Sequence, residues 1–177
     1  METKNLKIVS AKSNIDWIGR KVTGAHNGTI GIKEGSLTFG SGKLTGGRFV
    51  VDTTSIKVLD VTDPATNAQF AGHLASDDFF NSNHYPEALL VIKSAELKGP
   101  SVYHIKGDLT IKGITEPVSF DAQVDAGEAN VTASAKIVID RTKYGMKFRS
   151  GNFFLDLGDT LIYNDIELDV QITAQAA

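Results

Sequence analysis

The sequence contains no cysteine, only four prolines and no long apolar run. Without cysteine the chain forms no disulfide, and it can have neither a zinc–thiolate site nor a thiol nucleophile. No stretch reaches the roughly 18 consecutive apolar residues of a transmembrane helix. The net charge is −3 over 177 residues and the basic residues are scattered, so nothing indicates a nucleic-acid partner.

The motifs of several common enzyme classes are also missing. The sequence has no Gly-x-Ser-x-Gly nucleophile elbow, no phosphate-binding loop and no dinucleotide fingerprint. The sequence thus shows none of these motifs for chemistry, and we predict no resident metal and no cofactor. The N-terminus lacks the apolar core of a secretory signal. We expect either a cytoplasmic protein or the mature form of an exported, periplasmic one.

Glycine, in contrast, is abundant, with 17 residues, and alternating apolar and polar positions fill most of the chain. Residues 102–112, for example, place Tyr103, Ile105, Leu109 and Ile111 on one face. Such alternation indicates strands with one face toward an apolar interior. Roughly eight strands predict a single all-β domain over residues 1–177, either a sandwich or an up-and-down barrel. A barrel leaves no strand edge exposed and can hold one small ligand.

Glycine dipeptides suggest where the first strands turn. Asn27-Gly28 is a strong hairpin signal, and Glu34-Gly35 predicts a second turn. Gly46-Gly47, inside a long apolar stretch, predicts a bulge or a sharp bend.

One helical segment, near residues 63–81, interrupts this β-rich pattern. Asp63 can cap free amide groups and Pro64 tolerates the first helical position. Phe70 and Leu74 then share one face, and a short turn carrying two further phenylalanines follows. We expect this segment to close one end of a barrel.

Three sets of polar residues admit alternative interpretations. His73 and Asp77 are four residues apart, and with His84 they could form the site of a metal-assisted hydrolase. The simpler interpretation is that they hydrogen-bond the helix to the strands. The charged pair Asp140-Arg141 could act on a substrate, but we expect it to attach a strand end to a neighbouring loop. For His26 we expect a turn residue or a place at the mouth of a pocket.

Several segments, taken together and in order, resemble the YceI-like family of bacterial polyisoprenoid-binding proteins. They are 13–17 (SNIDW), 24–28 (GAHNG), 46–52 (GGRFVVD), Ser55-Ile56, His73-Leu74, 77–80 (DDFF), Tyr85-Pro86, 107–115 (GDLTIKGIT), Pro117-Val118, 139–141 (IDR) and Tyr144-Gly145. The resemblance implies a lipocalin-like antiparallel β-barrel that holds a long apolar isoprenoid chain and has no catalytic residues. Many family members are periplasmic.

From the resemblance and the apolar strand faces together, we expect a long-chain isoprenoid or fatty lipid as the partner. The residues predicted to form the cavity wall or its lid are Trp17, Phe39, Phe70, Leu74, Phe79, Phe80, Ile105, Ile111, Phe120 and Ile137. A barrel plugged by its own side chains that acts as a protein-interaction domain is the remaining alternative. The sequence leaves a homodimer open.

Overall fold

The computed structural model describes residues 3–22, 24–127, 130–148, 150 and 162–176. In this part of the chain, strands account for most residues and one α-helix, α1, spans Pro64–Ala75. The strands are β1 (Thr3–Ile8), β2 (Asn14–Lys21), β3 (Gly24–Gly40), β4 (Lys43–Val58), β5 (Glu87–Leu97), β6 (Val102–Ile111), β7 (Ile114–Ala126), β8 (Asn130–Asp140) and β9 (Ile162–Ala176). Two short 3₁₀ turns, Ser10–Lys12 and Arg141–Tyr144, complete it.

The nine strands form one closed antiparallel barrel with eight strand positions. Strands β1 and β2 lie end to end, because both pair with β3 on one side and with β9 on the other. From β9 the sheet continues through β8, β7, β6, β5 and β4, and the β3–β4 pairing closes it. The fold class predicted from the alternation and the family resemblance is therefore confirmed.

The two ends of the barrel differ. One end, called here the helical end, carries α1, the β6–β7 turn and the 3₁₀ turn Arg141–Tyr144. The opposite end carries the short connections β3–β4 and β5–β6. Asp63 caps α1 as predicted, since its carboxylate accepts a hydrogen bond from the backbone N–H of Thr66 at 2.9 Å. In the described ranges, no helix has the length and apolar character of a membrane span.

Both turns predicted from glycine dipeptides in the first half are wrong. Asn27-Gly28 and Glu34-Gly35 lie inside β3, and the β2–β3 connection comes earlier, after Lys21. A Cβ on Gly28 would overlap the carbonyl oxygen of Lys57 and would lie 2.7 Å from Cζ2 of Trp17. These glycines therefore permit close packing between strands rather than a turn. The first strand, β1, was not predicted at all.

Candidate ligand-binding cavity

The barrel is hollow. A cavity of about 580 Å³ lies toward the helical end, and a smaller one of about 100 Å³ lies deeper in the barrel. Both cavities are lined by Ile15, Val51, Leu109 and Leu168, so they adjoin. The wall of the deeper cavity is apolar almost throughout, because it is built from inward-facing strand residues such as Ile32, Phe49 and Val170.

Partial exposure of inward-facing side chains also indicates empty space. On β8, Ile137 and Ile139 are buried, yet Ala133 and Ala135, which share their inward face, are only half-buried. On β7, Phe120 is likewise half-buried although it lines the deeper cavity. In a filled interior such residues would make contacts on all sides. A barrel plugged by its own side chains is therefore not what the described residues form.

Nine of the ten predicted wall and lid residues line these cavities. Those of the larger cavity are Trp17, Phe70, Leu74, Phe79, Phe80 and Ile111, and those of the deeper one are Ile105, Phe120 and Ile137. Phe39 instead packs in the core near the opposite end, where it pairs with Leu44. Contact of any of these residues with a ligand stays a prediction.

The mouth of the larger cavity is polar, and it is basic rather than acidic. Arg20, Lys21, His26, His73 and Arg141 belong to its wall, whereas the described lining residues include no aspartate or glutamate. Carboxylates approach these bases from outside the wall. The contacts are Arg20 Nε to Glu167 Oε2 at 2.7 Å, His26 Nδ1 to Asp60 Oδ2 at 2.8 Å and His73 Nε2 to Asp78 Oδ2 at 2.8 Å.

Aromatic contacts attach α1 to the barrel across this mouth. The rings of His26 and Phe70 meet edge to face, with centroids 4.6 Å apart. His73 lies between Phe79 and Phe148, at 5.1 and 4.6 Å. Asp60 accepts hydrogen bonds from the His26 ring and from the backbone N–H of Asn27. Burial alone would raise the pKa of Asp60, but these two hydrogen bonds hold it below its usual value. His26 therefore lies at the mouth of the pocket, not in a turn.

Arg141 attaches the end of β8 to the following loop, at Met146, and to the start of β9, and it does so without Asp140, the other member of the predicted pair. Arg141 is only 1% exposed. Its guanidinium donates to the carbonyl oxygens of Met146 at 2.6 Å, Ile162 at 3.0 Å and Tyr163 at 3.0 Å. Burial lowers the pKa of Arg141, and the Asp140 carboxylate opposes this change. Asp140 itself caps the 3₁₀ turn by accepting from the N–H of Thr142.

The alternative metal site does not form. His73 contacts Asp78 rather than Asp77, whose side chain is exposed beside Lys112, and His84 is exposed. No three His, Asp or Glu side chains in the described part of the chain are placed to hold a metal ion. The simpler interpretation holds for Asp77, which contacts Lys112 at the end of β6, whereas His73 bonds Asp78 within its own segment.

Comparison with known proteins places this barrel among its relatives. The family model described as the YceI-like domain matches residues 6–174. The chain belongs to the YceI-like family. A UPF0312 protein of Photorhabdus laumondii is 31% identical over 153 residues, which is 81% of this chain and 71% of that protein. With other curated relatives, such as one from Pseudomonas putida, the chain matches about half of their length (47%).

Solved structures share the YceI-like fold at low sequence identity. BcnA of Burkholderia cenocepacia has a TM-score of 0.77 at 20% identity, covering 95% of this chain and 99% of that one. A domain from Saccharophagus degradans, described as polyisoprenoid binding and implicated in plant cell wall breakdown, has a TM-score of 0.71 at 11% identity. That match covers 99% of this chain and all (100%) of that one.

Most of the segments that carry the YceI-like resemblance contribute to the larger cavity. Trp17, His26, His73, Phe79 and Arg141 come from five separate segments, and all line the larger cavity. Within the described residues, Nε1 of Trp17 is the one buried side-chain nitrogen or oxygen that has no hydrogen-bond partner.

Sequence reasoning missed several lining residues at the mouth. Arg20, Lys21, Gln69 and Tyr163 were not among the predicted ones. Lys21 could have been found from the alternation. It lies four residues after Trp17 on β2, and Gly19 lies between them, so all three share one face of the strand. For Gln69 and Tyr163 there was no such signal, since their place depends on how α1 and β9 approach β2.

Proposed function

We propose that this barrel binds a long-chain apolar lipid, an isoprenoid or a similar amphiphile, and carries or sequesters it without chemical change. The observation that carries the proposal is the cavity of about 580 Å³ with its smaller apolar extension. Ligand sites of proteins measure about 300–1,000 Å³ and are mostly apolar with a few polar groups. This cavity has the size and the character of such a site.

The shape of the interior favours a chain over a compact ligand. The larger cavity leads from the polar mouth to a narrower apolar one. Each methylene buried there contributes about 0.8 kcal/mol, so a tail of about ten carbons contributes roughly 8 kcal/mol. Association and ordering cost about 4–15 kcal/mol. Affinity should therefore depend on chain length, and it needs few directed polar contacts.

The polar mouth favours an amphiphile whose head group stays near solvent. Arg20, Lys21, His26 and Gln69 place hydrogen-bond donors there, and apolar residues occupy the deeper wall. The description of the Saccharophagus degradans relative as a polyisoprenoid-binding domain supports the same ligand class.

Extraction and rebinding test the proposal. Organic extracts of the purified protein are analysed by mass spectrometry, and the delipidated protein is titrated with prenols of increasing length. Trp17, the single tryptophan of the chain, lines the cavity, so its fluorescence should report binding. We expect affinity to rise with chain length and then level off when the cavity is full.

A matched pair of variants locates the site. Ala133→Phe adds a ring to the deeper cavity, whereas Thr132→Phe adds the same ring to the outward face of β8. Only Ala133→Phe should weaken the binding of long prenols. The proposal fails if no long-chain lipid is recovered or rebound, or if both variants behave alike.

A further inference from the structure

Exposed apolar side chains concentrate at the helical end of the barrel. In the described part of the chain, seven large apolar side chains are exposed, and five of them lie at this end: Val22, Leu59, Tyr85, Ile114 and Tyr163. The other two are Leu97, at the opposite end, and Val138, on the outer wall. Single exposed apolar residues are common on proteins, but a group around one opening indicates an interaction site.

Three of the five, here called the rim, border the mouth of the larger cavity. Val22 follows Lys21 of the cavity wall and is 47% exposed. Leu59, 60% exposed, donates its N–H to the carbonyl of Asn27, next to His26. Tyr163 lines the cavity and is still 48% exposed. The apolar rim is thus continuous with the entrance to the interior.

We propose that the rim of Val22, Leu59 and Tyr163 docks on a phospholipid bilayer, so that lipid passes between membrane and cavity through the mouth. The inference rests on the proposed function. A long apolar chain that crossed water would expose every methylene on the way, whereas docking of the rim removes that exposure. Tyrosine is enriched at the membrane–water interface, where its ring is buried and its hydroxyl is hydrated.

The charges at the mouth are compatible with a phospholipid surface that contains anionic lipid. Lys21 has no carboxylate partner within ion-pair distance among the described residues, and Arg20 lies beside it. Two carboxylates beside the mouth, Glu167 and Asp60, are each engaged with another basic side chain, Arg20 and His26 respectively. A basic side chain near an anionic bilayer is attracted to it.

Two double variants, each of which replaces one valine and one leucine by serine, distinguish the contribution of the rim from that of other exposed apolar residues. Val22→Ser with Leu59→Ser removes two rim side chains that do not line the cavity. Val138→Ser with Leu97→Ser removes a valine (59% exposed) and a leucine (44% exposed) elsewhere. Val138 pairs with Glu167 of β9, which in turn pairs with Ile18 of β2. Val22 lies four residues beyond Ile18, so Val138 is set back from the rim by about 13 Å along the strand direction. Tyr163 is left unchanged because it also lines the cavity.

Flotation with vesicles of phosphatidylcholine and a minor fraction of phosphatidylglycerol measures docking. We expect the wild type to float with the vesicles and the rim variant to bind them roughly twentyfold more weakly, because two half-exposed side chains no longer enter the bilayer. The control variant should bind like the wild type. The transfer of a fluorescent prenol from vesicles to protein should slow only in the rim variant.

Failure of docking is distinguishable from failure of the proposed function. Binding of a detergent-dispersed prenol, read from the fluorescence of Trp17, requires the cavity but no bilayer. If the wild type binds the prenol but not the vesicles, or if both double variants lose vesicle binding equally, the docking inference is overturned and the cavity proposal stands. If the prenol itself does not bind, both are overturned.

Discussion

Filling the deeper cavity should stabilise the protein and weaken ligand binding at the same time. Ala135 on β8 faces this cavity, opposite Ala122 of β7 and Val170 of β9. The substitution Ala135→Leu adds three carbons, which contribute about 2 kcal/mol if they are buried without a clash. Ordering the leucine costs about 0.5–1 kcal/mol. We expect the unfolding free energy of the delipidated protein to rise by about 1–2 kcal/mol.

The same leucine should compete with a bound chain. It occupies space that about three methylenes of the ligand would otherwise fill, so long prenols should bind roughly thirtyfold more weakly. Urea denaturation of delipidated protein measures the first effect, and titration monitored by Trp17 fluorescence measures the second. Delipidation is essential, since a bound ligand stabilises the folded state by itself.

The same substitution at a position without free space serves as the control. Ala174 of β9 is fully buried, pairs with Val131 and Ile8, and belongs to the packed core. Ala174→Leu should therefore overpack the core and destabilise the protein by about 1–3 kcal/mol. If Ala135→Leu destabilises the protein as much as Ala174→Leu does, the interior is not hollow and the reasoning on ligand binding is wrong.

Two further predictions concern the polar support of the helical end. Arg141→Met should lower the unfolding free energy in urea by about 3 kcal/mol or more, because three carbonyls lose a buried donor. Arg141→Lys should recover only part of this, since an ammonium cannot match the guanidinium fork, and full recovery would contradict this account. Burial, with smaller contributions from Glu116 and Asp140, raises the pKa of Tyr144 to about 12. Its contribution to stability should be complete below about pH 10, the usual tyrosine pKa, and lost as the pH rises toward 12. Urea denaturation across this range should show a steeper loss for the wild type than for Tyr144→Phe, and equal slopes would refute the assignment.

The sequence predicted those features that depend on short-range pattern. The alternation in β6 placed Tyr103, Ile105, Leu109 and Ile111 on one buried face, as the structure has them. Asp63-Pro64 fixed the start of α1 because a cap and a tolerated first-turn proline are local properties. Most predicted wall residues followed from the same inward-facing positions.

Features that depend on packing between distant segments were not predictable in this way. Gly28 reads as a hairpin residue, yet it is required because the Trp17 ring and the Lys57 carbonyl occupy the place of a side chain. Phe39 lies in the core rather than the cavity wall because side chains fill the barrel at that end, and the sequence alone does not show which part of the barrel is filled. The polar mouth forms only when α1, β2 and β9 meet.

The closure of the barrel has a consequence for the folding of the chain during its synthesis. The first strands of the chain pair with the last one, and the Arg20–Glu167 contact joins residues 147 positions apart. Such distant pairing slows folding, since a long loop must close before its contacts form. During synthesis β2 and β8 therefore lack their common partner until β9 has left the ribosome, and the apolar inner face of the sheet stays open until then. An apolar ligand or a chaperone that binds the nascent chain would therefore contact an open, curved sheet rather than a closed barrel.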